Sequence, residues 1–543
     1  MKSASTLSAD PGAPGAPGAP GLPGASAAAL LRWALALLLG ACALLPAGFL
    51  LLTALPVLSD GGWLSHFTGT SLPHQAATSL QVALGACAVA LAVGALPALV
   101  VARFDFRGRA LVTVLALLPL LLPPSVAAGT WTVAYSWSFL EGRHALGLLH
   151  GLACAPYVFI VLRVAAARIP TSYAELAAAL GLGPWQRFWR VHLPTHAVPL
   201  AASLLIVCAQ AIGDYAAAER LGIDTLSVGV HNLWLASQSA QVAAIVSTVM
   251  TVPAVLLVVL ATWAATSIMN QAPIPPAAAA ARRRPLGRAA TTALLGWSLL
   301  CSVAGFWWPE WLNARWAWLK WARTRFADIP GDMLNAAGTS LATALLVALV
   351  CVATVLLLRT GGRSRWAERL PWLFLSNYFL PPLVLALAFV MMSRDGSLGA
   401  QLLGNWRDSR LLVVLSEALR YLPFAMLPVL DALRRTPEAG IELARAFGAG
   451  PLRARLVAFA GHLGPALLLG CALVFMESVK ELDMSLTLQP FGYSSPALKI
   501  YAFSRHQNMD RAAVWVLVSQ ALMLLPLALL AWRLHRLGGR PAR

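Results

Sequence analysis

Lysine is almost missing from this sequence. Four occur among 543 residues, at Lys2, Lys320, Lys480 and Lys499, and no glycine precedes any of them. The phosphate-cradling loop Gly-x4-Gly-Lys-Ser/Thr is therefore absent, and with it P-loop ATP hydrolysis by this chain. Charge of either sign is scarce too: 11% of the residues are Asp, Glu, Lys or Arg, against roughly 25% in a soluble domain. With 59% hydrophobic residues and a mean hydropathy of +0.71, the chain carries more apolar surface than a soluble core could hide, whereas a bilayer can hold it. The seven cysteines (Cys42, Cys87, Cys154, Cys208, Cys301, Cys351 and Cys471) form no CxxC and no Cys/His ligand spacing. They read as small buried hydrophobes rather than disulfide or zinc residues. The histidines are scattered and suggest no metal site. Paired carboxylates, a nucleophile elbow and an HExxH helix are all lacking, so a membrane-embedded enzyme has no support and no catalytic residue is assigned.

What is present is a succession of apolar runs. A span needs about 20 mainly apolar residues, and twelve stretches qualify: 28–56, 78–101, 110–135, 147–166, 197–218, 238–265, 290–308, 337–358, 371–392, 411–432, 464–484 and 512–532. The net charge of +18 belongs to the loops between them rather than to a nucleic-acid surface. Arginines follow the even-numbered spans: Arg103, Arg107 and Arg109; Arg187 and Arg190; Arg282, Arg283, Arg284 and Arg288; Arg359 to Arg369; Arg434 to Arg455; and Arg533 to Arg543. Such alternation puts both termini in the cytoplasm. One loop dissents, with Arg315, Lys320, Arg323 and Arg325 beside Trp307, Trp308, Trp311, Trp316 and Trp318, and reads as an interfacial segment. Residues 11–25 repeat Pro-Gly-Ala or Pro-Gly-Leu and read as part of a disordered tail over 1–26. The apolar run that begins at Ala27 is too long for a cleaved signal and reads as a retained span.

The chain repeats itself. Pro156 and Pro423 differ by 267, as do Pro170 and Pro437, Glu175 and Glu442, Gly181 and Gly448, and Asp214 and Glu481. Pro123-Pro124 and Pro381-Pro382 match at 258, and Ser79-Leu80 and Ser340-Leu341 at 261. A Pro/Ala/Arg linker over 269–289 separates a first half, 27–268 (repeat core about 74–265), from a second, 290–543 (core about 335–533). Six spans per half make the repeat parallel rather than inverted. The expected fold is thus all-α and membrane-integral, with about twelve helices in two parallel pseudo-repeats. The first span of each half looks like an addition to the shared core.

The most informative loop runs from Glu175 to Pro194. Glu175 to Leu180 are good helix formers. Gly181 or Gly183 supplies a left-handed turn, and Pro184 opens a second helix that puts Trp185, Phe188 and Trp189 on one face and ends at Pro194. This hairpin offers an apolar knob either to a soluble partner or to lipid. Its pattern, through Glu175, Ala177, Ala178, Gly181, Leu193 and Pro194, resembles the "EAA" loop of binding-protein-dependent ABC importer permeases. The second copy keeps Glu442, Ala444 and Gly448, carries Leu452 and Leu456 on a helical stripe, and has Ala460-Gly461 in place of Leu-Pro. The stretch from Glu477 to Gly492 is similar to iron(III)-type permeases of that superfamily, with Asp483 and Ser485 in place of the family's Pro and Thr, and twelve spans in one chain resemble the fused iron(III) and thiamine permeases.

That resemblance implies a type I ABC-importer permease fold in a bacterial inner membrane. It implies two cytoplasmic ATPase subunits that bind the ATP and dock on the two loops, and a periplasmic solute-binding protein. This chain itself needs no cofactor. Iron(III) is the first candidate solute, with thiamine, a polyamine or another small polar solute open. From the residues alone, Asp214, Glu477, Lys480, Glu481 and Asp483 read either as a polar lining of the path or its gate, or as interfacial anchors, since charge in a span is costly and faces a cavity or a partner. The rival reading is an ion-coupled secondary transporter with twelve helices.

Overall fold

The computed structural model describes residues 33–46, 48–49, 52, 71–134, 142–167, 172–237, 283–324, 326–360, 374–375, 377–393, 396–435 and 438–536. The predicted span over 238–265, the N-terminal tail and most of the linker lie outside them. Among the described residues the fold is helical apart from one pair of two-residue strands. Eight helices there are long and apolar enough to cross a membrane, nine if one bent pair counts as a span.

The first half contains α1 (Trp33–Pro46) and α2 (Leu72–Arg103). Next come α3 (Arg109–Leu117), α4 (Pro124–Ala134) and α5 (Gly142–Ala166). Then follow α6 (Ser172–Ala179), α7 (Pro184–Gly213), α8 (Ala216–Arg220) and α9 (Leu226–Ser237). The second half opens with α10 (Arg288–Lys320), α11 (Ile329–Thr360) and α12 (Pro382–Met392). It continues with α13 (Leu411–Arg435), α14 (Glu438–Ala446) and α15 (Pro451–Lys480). It closes with α16 (Asp483–Leu488), α17 (Pro496–Arg505) and α18 (Met509–Arg536). The offset of 267 carries α7 onto α15 end for end: 184 becomes 451 and 213 becomes 480.

Several expected spans differ from the observed helices. The run 110–135 is not one rod: its two parts, Arg109–Leu121 and Pro124–Ala134, are bent by 81°. Pro124 has no N–H to give the preceding turn, and a residue before proline avoids the helical region. The second half places Pro381-Pro382 the same way, with Pro382 opening an 11-residue helix. The run 197–218 stops at Gly213, and 464–484 stops at Lys480. In the other direction, α10 runs on through the Trp-rich segment to Lys320, past the predicted end at 308, and Lys320 is held by Asp510 of α18 at 2.9 Å.

Close helix packing explains several glycines. A Cβ on Gly94 would lie 2.5 Å from the Ala155 carbonyl, and one on Gly470 would lie 2.3 Å from the Ala425 Cα. Only hydrogen fits where α2 meets α5 and α13 meets α15, as in small-residue membrane interfaces. The halves also exchange their first helices. From α1, Leu39 and Ala43 enter a core built mostly from the second half, and Asn377 donates to the Ala43 carbonyl at 3.0 Å. From α10, Phe306 and Ala317 enter the core around Leu120 and Leu149, and Thr130 lies 3.4 Å from Asn313.

Candidate functional site

Two loops of matching geometry occupy one end of the bundle, called here the loop end. Helix α6 ends in a Schellman motif: the Gly181 N–H donates to the Ala178 carbonyl at 3.0 Å and the Leu182 N–H to the Ala177 carbonyl at 3.1 Å. Helix α14 repeats it, Gly448 to Arg445 at 2.8 Å and Ala449 to Ala444 at 3.1 Å. Gly181 has φ +77° and Gly448 φ +81°, a region that a side chain disfavours. Of the two glycines in the first loop, Gly181 makes the turn. Gly183 has φ −64° and ψ 164° and is the N-cap of α7, its N–H donating to the Gln186 side chain at 3.2 Å.

Past the turn the apolar knob is present and bare. Trp185 is 71% exposed and Trp189 50%, and with Phe188 they form a cluster with ring centroids 5.4–6.0 Å apart. Glu175 lies in the first turn of α6, where the helix dipole favours a carboxylate, and pairs with Arg284 at 2.8 Å. Arg284 belongs to a strand pair, β1 (Phe104–Asp105) with β2 (Arg284–Pro285), that ties the linker to the end of α2. Ala177 is buried under the turn; Ala178 faces outward. In the second loop Glu442 is exposed and Ala444 half-buried. Leu452 and Leu456 fall on the first two turns of α15, and their side chains lie outside the described residues. Sequence reasoning missed Phe447, 83% exposed directly before Gly448. The signal for it was the matching apolar residue before the first turn, Leu180, itself 72% exposed.

Leu193 and Pro194 correct an expectation. Pro194 does not stop the helix: α7 runs through it to Gly213. Residues Phe188–His192 adopt a π-turn, the Leu193 N–H reaching back to the Phe188 carbonyl. A π-turn shifts the bonding by one residue, and Pro194, which has no N–H, sits in the first turn of the α-segment that follows.

At the other, far end, α7 and α15 break at repeat-related carboxylates. Asp214 accepts the Ala217 N–H at 2.8 Å and so caps α8; Glu481 accepts the Met484 N–H at 3.1 Å and caps α16. Side chains of both halves converge there. The His150 Nε2 lies 3.2 Å from the other Asp214 oxygen. Glu477 receives the Tyr157 hydroxyl at 2.5 Å, Lys480 at 2.6 Å and the Gln210 amide at 3.4 Å. The Tyr421 hydroxyl donates to Glu481, and Asp483 accepts the Tyr215 N–H from the first half at 3.3 Å. All five residues singled out from the sequence (Asp214, Glu477, Lys480, Glu481 and Asp483) thus line one polar cavity of about 80 Å³. Lys480 and its carboxylate are largely buried, which departs from a purely interfacial anchor. Subtraction of 267 from Glu417, which binds Ser478 and Thr343, leads to His150, a repeat pair that the sequence reading passed over. The same offset relates Gln210 to Glu477, which it touches, and Tyr157 to Phe424, two further pairs that went unread, whereas Tyr421 carried no comparable mark.

Among the described residues, two further cavities flank this polar chamber. Toward the far end it shares Pro123, Ser125, Ala216, Lys480 and Leu482 with a cavity of about 210 Å³ that also holds Glu219, Arg220 and Arg505. Toward the loop end lies a larger, mostly aliphatic cavity of about 680 Å³ between the halves, reaching Asp431, Arg533 and Arg536.

Residues 90–273 match the family profile of the binding-protein-dependent transport system inner membrane component. The Fe(3+)-transport system permease protein FbpB 2 of Haemophilus influenzae is 20% identical over 456 residues, 81% of this chain and 86% of that one. Shorter matches include the molybdenum transport system permease protein ModB of Haemophilus influenzae, 28% identical over 26% of this chain and 67% of that protein. The sulfate transport system permease protein CysW of Escherichia coli K12 is 27% identical over 28% of this chain and 57% of its own length.

Proposed function

We propose that this chain is a permease of the binding-protein-dependent ABC kind with both halves on one polypeptide, and that a single copy forms the whole membrane path of an importer. The observation that carries this is the pair of Schellman-turn loops, with the same hydrogen bonds at Gly181 and Gly448, on one end of one chain. Each loop takes one ATPase subunit, which binds and hydrolyses the ATP. Exposed aromatic and aliphatic groups around Trp185, Trp189 and Phe447 supply the apolar docking area that such a partner buries. The loop end then faces the cytoplasm with both termini, in keeping with the arginine-rich loops. A binding protein delivers solute at the far end, on the periplasmic side of the inner membrane.

Four carboxylates against one lysine in the polar chamber favour a cationic solute over an oxyanion. Iron(III), the solute in the name of the relative that matches nearly end to end, is the first to test. An ion-coupled secondary transporter would have no use for two such loops. The deciding experiment is co-purification of the ATPase with the chain, together with uptake, for wild type and for the double variant Gly181→Asp, Gly448→Asp at matched membrane level. Loss of both ATPase and uptake in the double variant is the expected result. Full association and uptake in it would remove the ABC reading.

A further inference from the structure

The polar chamber and the loop-end cavity touch at a single side chain, Tyr157, which lines both. Around it the two halves close the way with rings. Tyr157 stacks on Phe424 at 5.9 Å with 19° between the planes. Phe424 meets Tyr378 edge-on at 5.2 Å and lies nearly parallel to Tyr421 at 6.2 Å. Tyr421 faces the polar chamber, whereas Tyr378 and Phe424 face the apolar one.

Position in the repeat locates this partition. Tyr157 and Phe424 are separated by 267 and are therefore repeat mates. A residue can touch its own mate only near the axis that relates the halves. Half of the 5.9 Å separation puts each ring about 3 Å from that axis. The ring stack thus lies where a central path must run. On its far side the tyrosine hydroxyls are tied to carboxylates: Tyr157 of the first half to Glu477 of the second, and Tyr421 to Glu481. The first of these bonds crosses between the halves, so parting the halves must break it.

We propose that Tyr157, Tyr378, Tyr421 and Phe424 are the inner gate of the path, latched shut by Glu477 and Glu481 through the tyrosine hydroxyls. The proposal rests on reading the chain as a transporter and goes beyond it by naming the barrier. Phe424 and the ring faces packed on it offer a hydrated ion nothing to replace its water, and the Tyr157 and Tyr421 hydroxyls are already given to carboxylates, so the closed gate blocks polar solutes.

Cys154, buried in the wall of the polar chamber, reports on this gate. The other six cysteines are replaced by alanine, and a trimethylammonium methanethiosulfonate is added from the loop end in sealed vesicles of known sidedness. Cys154 in the otherwise native chain should react slowly. Phe424→Ala should speed labelling by about tenfold or more, and Phe424→Leu, which keeps more of the fill, by less. Tyr157→Phe keeps the ring and loses the latch, and should give an intermediate rate. Leu427→Ala, in the wall of the apolar cavity only, should leave the rate unchanged. Equal labelling of wild type and both Phe424 variants would overturn the gate, as would an equal acceleration by Leu427→Ala. A wild-type rate in Tyr157→Phe would overturn the latch at Glu477. Labelling needs neither ATPase nor binding protein, so this result is independent of the importer reading.

Discussion

Replacing Gly181 by alanine tests the docking loop with the least collateral change. An added Cβ there has nothing within 4 Å, so no neighbour has to move. The cost is backbone alone: φ is +77°, and holding a non-glycine residue in the left-handed region costs on the order of 1–2 kcal/mol. Spread over a two-state loop, that lowers the docking-competent population by a factor of roughly 5–30. ATPase affinity, titrated on chain held in nanodiscs, should fall by up to that factor while membrane abundance and melting temperature hold. Gly183 supplies the contrast two residues away. Its φ of −64° suits any residue, and it is an N-cap without a side chain. Gly183→Ser adds a hydroxyl that can accept an N–H of the first turn of α7, where serine is a preferred cap; affinity should be unchanged or slightly better. The sequence left open which glycine turns the chain, so these variants separate the answers. An affinity within about twofold of wild type for Gly181→Ala would refute the reasoning, because about 0.4 kcal/mol is far below the left-handed cost. Equal damage from Gly183→Ser would refute it as well.

Three further outcomes follow from the geometry. Gly470→Val places a Cβ against the Ala425 backbone and should cost about 1–3 kcal/mol or more by overpacking α13 against α15; an unchanged melting curve would contradict the close approach. Asp214→Asn keeps an oxygen for the Ala217 N–H but loses the charge, so thermal stability should hold while uptake falls; wild-type uptake would reduce Asp214 to a helix cap. Arg284→Ala removes an exposed ion pair with Glu175, worth about 0–1 kcal/mol, and a large loss of stability would show that the strand pair beside it depends on that contact.

What the sequence disclosed and what it hid have physical reasons. The Schellman turns are local: a helix-forming run, a glycine and six residues from glutamate to glycine suffice, and both copies were legible. The carboxylates at the far end were legible as charges too costly to leave in lipid. The bend at Pro123-Pro124 was not, because both arms are apolar and hydropathy is blind to direction. Pro194 misled because proline usually ends a helix, whereas here a π-turn absorbs it. His150, Tyr157 and Tyr421 look unremarkable one at a time; what marks them is the partner that the fold brings, Asp214, Glu477 and Glu481. The exchange of α1 and α10 between halves had no sequence signature beyond the two runs that lacked a repeat mate.

The two long helices connect these features mechanically. Each of α7 and α15 has 30 residues, so each is about 45 Å long, well beyond a hydrocarbon layer of about 30 Å. Each begins at a Schellman-turn loop and ends at a carboxylate, Asp214 or Glu481, that caps the next short helix. A packed helix moves as a rod rather than compressing. Displacement of a loop by a partner therefore reaches the polar chamber along the same element. The rods differ in backbone bonding: α7 carries the π-turn at Phe188–His192, and α15 is α-helical throughout. The first rod has a joint that starts within its knob of exposed aromatics, at Phe188 and Trp189, and the second has none. Equal pushes on the two loops would then move the two carboxylates unequally, with the larger share at Glu481, which holds Tyr421, one ring of the partition.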